Sequence, residues 1–199
     1  MRSPVRYRYR GVGVKRVTDL VLTIAGGILL LPVALGVALA VKFTSPGPAL
    51  YWSDRVGRGG AIFRMPKFRT MKVGTPAVAT HLIVDPASAL TPIGGFLRRT
   101  SLDEVPQLWS VFIGDMSIVG PRPALFNQDD LIALRQQQGV DVLRPGLTGW
   151  AQVNGRDELP IPEKVAFDRE YLERRSSLFD LLIILRTAGK LLGDKSVAH

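Results

Sequence analysis

The sequence predicts a mostly helical α+β protein seated at a membrane, with an N-terminal kinked re-entrant helix, a short β-hairpin and amphipathic helices at the interface. Three observations carry this reading. Leu20 to Val41 is uncharged and almost wholly apolar around a single Pro32; two short alternating runs flank Gly57-Arg58-Gly59-Gly60; and apolar residues recur at helical spacing in several later segments.

In a chain of 199 residues, one folded unit with a real core is expected. No cysteine is present, which excludes disulfides and thiolate metal sites. Lys and Arg total 26 against 17 Asp and Glu, and the net charge of +9 points to an anionic partner such as phospholipid, a nucleotide or nucleic acid. A nucleic-acid partner would explain the charge but not the apolar segment, so none is expected.

Residues 1–16 form a basic tail, in which Arg2, Arg6, Arg8, Arg10, Lys15 and Arg16 precede any acid. Each cation near an anionic leaflet contributes about 1 kcal/mol, and a simple solvated tail is the competing reading. Residues 17–42 form the membrane helix, reaching the ~20 residues that a bilayer crossing requires. The run is too long for a signal peptide and lacks a small-residue cleavage site. Pro32 removes a hydrogen bond near the middle and predicts a kink. Both flanks are basic, with Lys15-Arg16 before and Lys42 after, whereas a crossing helix favours cations on one side. Entry, bend and return to the same face satisfies both facts; a single crossing is the alternative.

Residues 43–199 are expected to form the catalytic domain. Ala49–Ser53 and Ala61–Met65 read as hairpin strands, followed by Lys67-Phe68-Arg69, which by itself could be a solvated basic edge. Residues 73–90 read as a loop, in which His81 is a surface residue; the other histidine is the terminal His199, so histidine chemistry has no good candidate.

The chemistry is placed at Arg98-Arg99-Thr100-Ser101-Leu102-Asp103-Glu104-Val105-Pro106-Gln107-Leu108-Trp109. Leu102, Val105, Leu108, Trp109 and Phe112 predict a short helix from near Asp103 with that face packed inward and Pro106 in its first turn. A carboxylate pair and Arg98 would then lie beside free helical N–H groups, a setting for phosphate. The simpler reading is a capping box of Ser101 and Glu104. Arg122, fixed between Pro121 and Pro123, adds a second guanidinium suited to phosphate.

Farther on, helical spacing spans 126–139, and Trp150-Ala151-Gln152-Val153 reads as a short strand, with Trp150 either a core aromatic or an interface anchor. Arg156 is a minor phosphate-binding candidate. A polar helix over 161–175 has an expected Glu170–Arg174 pair. A final amphipathic helix from Ser177 to Leu192 is too short and too charged to cross; it either lies in the interface or packs on the core.

Leu102-Asp103-Glu104-Val105-Pro106-Gln107-Leu108, Gly114-Asp115-Met116-Ser117, Val119-Gly120-Pro121-Arg122-Pro123, Lys67-Phe68-Arg69-Thr70-Met71 and Pro145-Gly146-Leu147-Thr148-Gly149-Trp150 together resemble the bacterial sugar transferases called monotopic phosphoglycosyl transferases. The resemblance runs from about Lys15 to about Leu192. It implies a re-entrant helix embedded in one leaflet; the family often has Ser before the kink proline, where this chain has Leu31 and no hydroxyl to satisfy a freed carbonyl. The resemblance also implies a location at the bacterial inner membrane with the catalytic domain facing the cytoplasm. It implies transfer of a sugar-1-phosphate from a nucleotide-diphosphate sugar, a UDP-sugar, to polyprenyl (undecaprenyl) phosphate, with release of UMP. Asp103 would be the nucleophile and a ligand of Mg²⁺, and Glu104 would orient the acceptor or share the metal. Arg98, Arg122, Lys67, Arg69 and Arg156 would bind phosphates. A non-enzymatic basic membrane scaffold of a polysaccharide assembly complex is the alternative.

Overall fold

The computed structural model describes residues 12–76, 78, 85–155 and 159–193. Arg2, Arg6, Arg8, Arg10, His81, Arg156 and His199 lie outside the described residues, as do residues 77 and 79–84 of the loop expected at 73–90.

Helix α1 (Val12–Thr44) is one helix of 33 residues that continues through Pro32. Its buried stripe, Asp19, Thr23, Val37 and Val41, recurs at helical spacing, while Ile28, Leu29, Leu31 and Leu35 are exposed. Near its start, three consecutive polar links reach three different elements. Lys15 Nζ lies 2.7 Å from Asp180 Oδ2. Arg16 donates to the carbonyls of Val111 and Phe112 at 2.6 and 2.7 Å. Asp19 accepts from Ser117 Oγ and from the amide of Ile118 at 2.8 and 3.1 Å. Near its end the contact is apolar: Val37 and Val41 join Phe68 and Leu97 in a core cluster.

The hairpin forms as expected but with longer strands. Strand β1 (Leu50–Val56) pairs antiparallel with β2 (Ile62–Phe68) in the register Tyr51 to Lys67, Ser53 to Met65 and Arg55 to Phe63. Alternation therefore puts Ser53, Arg55, Met65 and Lys67 on one face. A short helix α2 (Gly94–Arg99) follows, then a 3-10 segment over Leu102–Gln107 that runs into α3 (Leu108–Ile113).

This region departs from expectation in two ways. Pro106 lies inside the 3-10 segment, and the inward face is polar: Asp103, Gln107 and Ser110 are buried with Val111. Trp109, Phe112 and Ile113 are 54, 45 and 49% exposed, and the first two rings stack at 5.9 Å. The expected stripe divides: Leu102 and Val105 pack on the Val37, Val41, Phe68 and Leu97 cluster, whereas Trp109 and Phe112 turn outward, because spacing reports which residues share a face and not what lies opposite that face.

Strands β3 (Ser117–Val119) and β4 (Gly146–Thr148) form a parallel pair. Helix α4 (Asp129–Gln137) lies within the expected 126–139. The strand expected at 150–153 is instead helix α5 (Trp150–Asn154): Gly149 is extended, Asn154 Nδ2 donates to the Trp150 carbonyl, and the run is too short for alternation to decide between the two periods. Trp150 is a core aromatic, 8% exposed, packed on Phe179. Helix α6 (Ile161–Arg174) carries the expected Glu170–Arg174 pair. Helix α7 (Ser177–Gly193) buries Phe179 and Ile183 in that core and exposes Leu178, Leu181, Leu182 and Leu185 on its other side.

The β3–β4 crossing is closed by glycine. A Cβ built on Gly146 would lie 2.1 Å from the Gly120 nitrogen and 2.5 Å from its oxygen, so backbone would have to move. Gly146→Ala is expected to lower stability by about 2 kcal/mol or more, read as a depressed Tm of the detergent-solubilised chain.

Candidate active site

Asp103 is the second residue of the 3-10 segment and is only 7% exposed. Ser101 precedes it in the left-handed region at φ 55° and makes no side-chain cap, so the capping box does not form. Asp103 sits in the first turn of the 3-10 segment, five residues before α3, so the N-terminus of α3 is not what surrounds it.

The charged side chains around it come from separate segments. Lys67 is delivered by β2, Arg98 by the last turn of α2, and Arg122 by the turn after β3. Glu104 Oε1 accepts from Arg122 Nη2 at 3.1 Å and lies 3.8 Å from Lys67 Nζ. Arg98 Nε donates to Thr70 Oγ1 at 3.1 Å. Lys67, Arg98 and Arg122 all favour the charged form of Asp103. Burial outweighs them, and together with the neighbouring Glu104 it raises the Asp103 pKa from 3.8 to about 6. Burial also lowers the pKa of Lys67, aided by Arg122 and Arg55 and opposed by Glu104 and Asp103. Desolvation lowers that of Arg98, with Asp103 opposing.

Five of the residues singled out from sequence are thus brought together: Lys67, Arg98, Asp103, Glu104 and Arg122. Arg69 is engaged elsewhere. Its buried guanidinium donates to the carbonyls of Pro48 and Ser45 at 2.7 and 3.0 Å, tying the end of β2 to the chain leaving α1. In this arrangement its Nε and Nη2 serve the backbone. Arg55 was missed. It shares the inner hairpin face with Lys67, donates to Ser53 Oγ and the Pro123 carbonyl, and contributes to the field at Lys67. Its signal was strand alternation, hidden because the strand was expected to end at Ser53.

Among the described residues no group of three or more Asp, Glu, His or Cys could form a metal cage. The adjacent carboxylates of Asp103 and Glu104 do suit Mg²⁺, which is held through one or two carboxylates, substrate phosphates and water. Among the described residues no hydrogen bond reaches the Asp103 carboxylate, which leaves its oxygens available to a cation or an electrophile.

The family model for bacterial sugar transferases matches residues 10–194. The chain belongs to that family. It is 40% identical over 183 residues to the UDP-glucose:undecaprenyl-phosphate glucose-1-phosphate transferase of Escherichia coli (strain K12), covering 88% of this chain and 39% of that protein. A Caulobacter vibrioides protein with the same name is 42% identical over 188 residues, covering 89% of this chain and 69% of that one. The exopolysaccharide production protein ExoY of Sinorhizobium fredii is 36% identical over 190 residues, covering 87% and 83%. The chain therefore spans about two-fifths of the larger relatives, 39% of the E. coli protein, and most of ExoY. For this family, a buried carboxylate ringed by cations is the feature that calls for a chemical role.

The raised pKa of Asp103 has a sign that can be tested. Well below pH 3.8 the group is neutral folded or unfolded and carries no penalty; the penalty grows as pH rises from 3.8 to about 6, above which the folded state holds the charge at a cost approaching about 3 kcal/mol. Asp103→Asn is expected to be more stable than the unaltered chain at pH 7.5, by up to that amount, and the gap should narrow as pH falls to 4. Denaturant titration at the two pH values checks it.

Proposed function

We propose that the chain transfers a sugar-1-phosphate from a UDP-sugar to polyprenyl phosphate through a phospho-aspartyl intermediate on Asp103. The observation that carries this reading is the Asp103 carboxylate: buried, with no hydrogen-bond partner among the described residues, and faced by Lys67, Arg98 and Arg122. A carboxylate held for structure alone would be hydrogen-bonded or replaced, because an unpaired buried charge is costly.

In the first step an Asp103 oxygen attacks the sugar-bearing phosphorus. The bond from that phosphorus to the bridging oxygen breaks, and UMP departs with the oxygen and its electron pair. In the second step a phosphate oxygen of the polyprenyl acceptor attacks the same phosphorus, expels the Asp103 carboxylate and forms the new diphosphate linkage. One such linkage is broken and one is made, so no nucleoside triphosphate is consumed. Arg98 and Arg122 hold the non-reacting oxygens and stabilise the charge that spreads over them. Lys67 neutralises the donor, and Glu104, bridging Lys67 and Arg122, fixes both cations. Asp103 with Glu104 would hold Mg²⁺, which when bound screens carboxylate and diphosphate from one another.

The acceptor is a lipid, and the placement of α1 supports a re-entrant rather than a crossing helix. Asp19, Val37 and Val41 all pack on the rest of the described chain, so a crossing helix would draw those contacts into the hydrocarbon, about 30 Å thick, along with it. At about 100° per residue, Pro32 falls opposite the buried stripe through Asp19, Thr23, Val37 and Val41. A proline ring pushes away the carbonyl one turn back and opens the helix on its own side, so any bend closes toward the body. The exposed leucines of α7 and the outward Trp109 and Phe112 fit the same lipid surface. The membrane would be the bacterial inner membrane, with the site facing the cytoplasm.

Two measurements test this. Protein in membranes, given a UDP-sugar and no acceptor, should release about one equivalent of UMP and gain a sugar-phosphate mass on the peptide holding Asp103; continued lipid glycosylation without that adduct would refute the scheme. Asp103→Asn should release no UMP at any pH, and turnover by this variant would refute the scheme.

A further inference from the structure

We propose that the buried pair Arg135 and Asp168 are positioning residues that fix Arg122 in the active site through its main-chain carbonyl. This rests on the transfer reaction proposed above.

Arg135 on α4 and Asp168 on α6 are 9 and 1% exposed. Arg135 presents two donors to one carboxylate oxygen, Nε and Nη2 at 2.9 and 2.7 Å from Asp168 Oδ2. Its third donor group, Nη1, is aimed the other way and reaches the carbonyl of Arg122 at 2.8 Å. The planar guanidinium makes this a rigid strut: with one edge clamped on the carboxylate, the opposite nitrogen has a fixed position.

The turn it reaches needs such a strut. Pro121 and Pro123 have no N–H, so the segment around Arg122 is held through its carbonyls. Four in succession accept a bond, each from a different donor. Pro121 accepts from the Gly146 amide at 2.8 Å, Arg122 from Arg135, Pro123 from Arg55 Nη1 at 3.1 Å, and Ala124 from the Val56 amide at 3.0 Å. A groove bordered by Val56, Gly60, Ala124, Ile132, Leu143 and Pro145 runs beside the turn, whose Pro121, Pro123 and Ala124 are themselves buried. The Arg122 carbonyl belongs to the residue whose side chain meets Glu104, so a shift of the turn away from Arg135 would carry the guanidinium with it.

Stability alone accounts poorly for the pair. Burying two charges costs about as much as their attraction returns, and apolar residues of similar volume often serve the fold as well or better. The third bond supplies a task that apolar residues cannot perform.

The test uses the full chain in membranes, with UMP release from a UDP-sugar and polyprenyl phosphate as readout. Arg135→Lys keeps a cation opposite Asp168, but an ammonium cannot span carboxylate and carbonyl. It should lose tenfold or more in kcat/KM, whereas in an Arg122→Ala background the same change should cost less than twofold. Equal fold losses in both backgrounds would overturn the proposal. The pair Arg135→Met with Asp168→Leu removes both charges; it should hold its Tm and show the same loss, and wild-type turnover by this variant would also overturn it. Either variant decides if the other does not fold. Absence of UMP release by the unaltered chain would overturn the transfer reading and this one with it, a result separate from normal turnover in the variants.

Discussion

The fold is arranged around one uncomfortable carboxylate. Asp103 is enclosed without a hydrogen bond from any described residue, and what makes that tolerable is positive charge gathered from β2, α2 and the turn after β3. Each contributing segment must be held by something else, and much of the remaining structure does so. The hairpin register orients Lys67 inward, Thr70 takes the Nε proton of Arg98, and four carbonyl bonds hold the turn of Arg122. Preorganised charge of this kind costs folding energy and requires little reorganisation when a phosphoryl group arrives.

The anchor helix is part of that framework rather than a tether to it. Lys15, Arg16 and Asp19 bind α7, α3 and β3 in turn. Asp19 occupies the side of β3 that β4 leaves open, satisfying the Ile118 amide as a neighbouring strand would. The far end of the helix contributes Val37 and Val41 to the cluster that supports Leu102 and Val105, the apolar residues flanking the carboxylate pair. The long apolar helix and the segment that holds the carboxylate pair therefore share one packed framework.

Apolar side chains turned outward on α3 and α7, and polar ones turned inward beneath Asp103, form a consistent pattern. In water such a distribution would be unfavourable, and against lipid it is the favourable one. The buried carboxylate thus stands at the start of a segment whose far side, with Trp109, Phe112 and Ile113, is apolar and exposed.

The residue pattern by itself determined a long apolar N-terminal helix, the hairpin and helices α4, α6 and α7, and it singled out Lys67, Arg98, Asp103, Glu104 and Arg122, whose charges lie near one another in the fold. Those features follow from local composition, from periodicity, or from motifs whose order along the chain is distinctive. Tertiary structure decided which side of α3 faces inward, that residues 150–154 coil into a helix, and that Arg69 serves the backbone beside α1. It also brought Arg55, Asp19 and the Arg135–Asp168 pair into the framework. Spacing along a chain records which side chains share a face, but the partner of that face, whether lipid, core or a carbonyl more than ten residues away, exists only once distant segments have met.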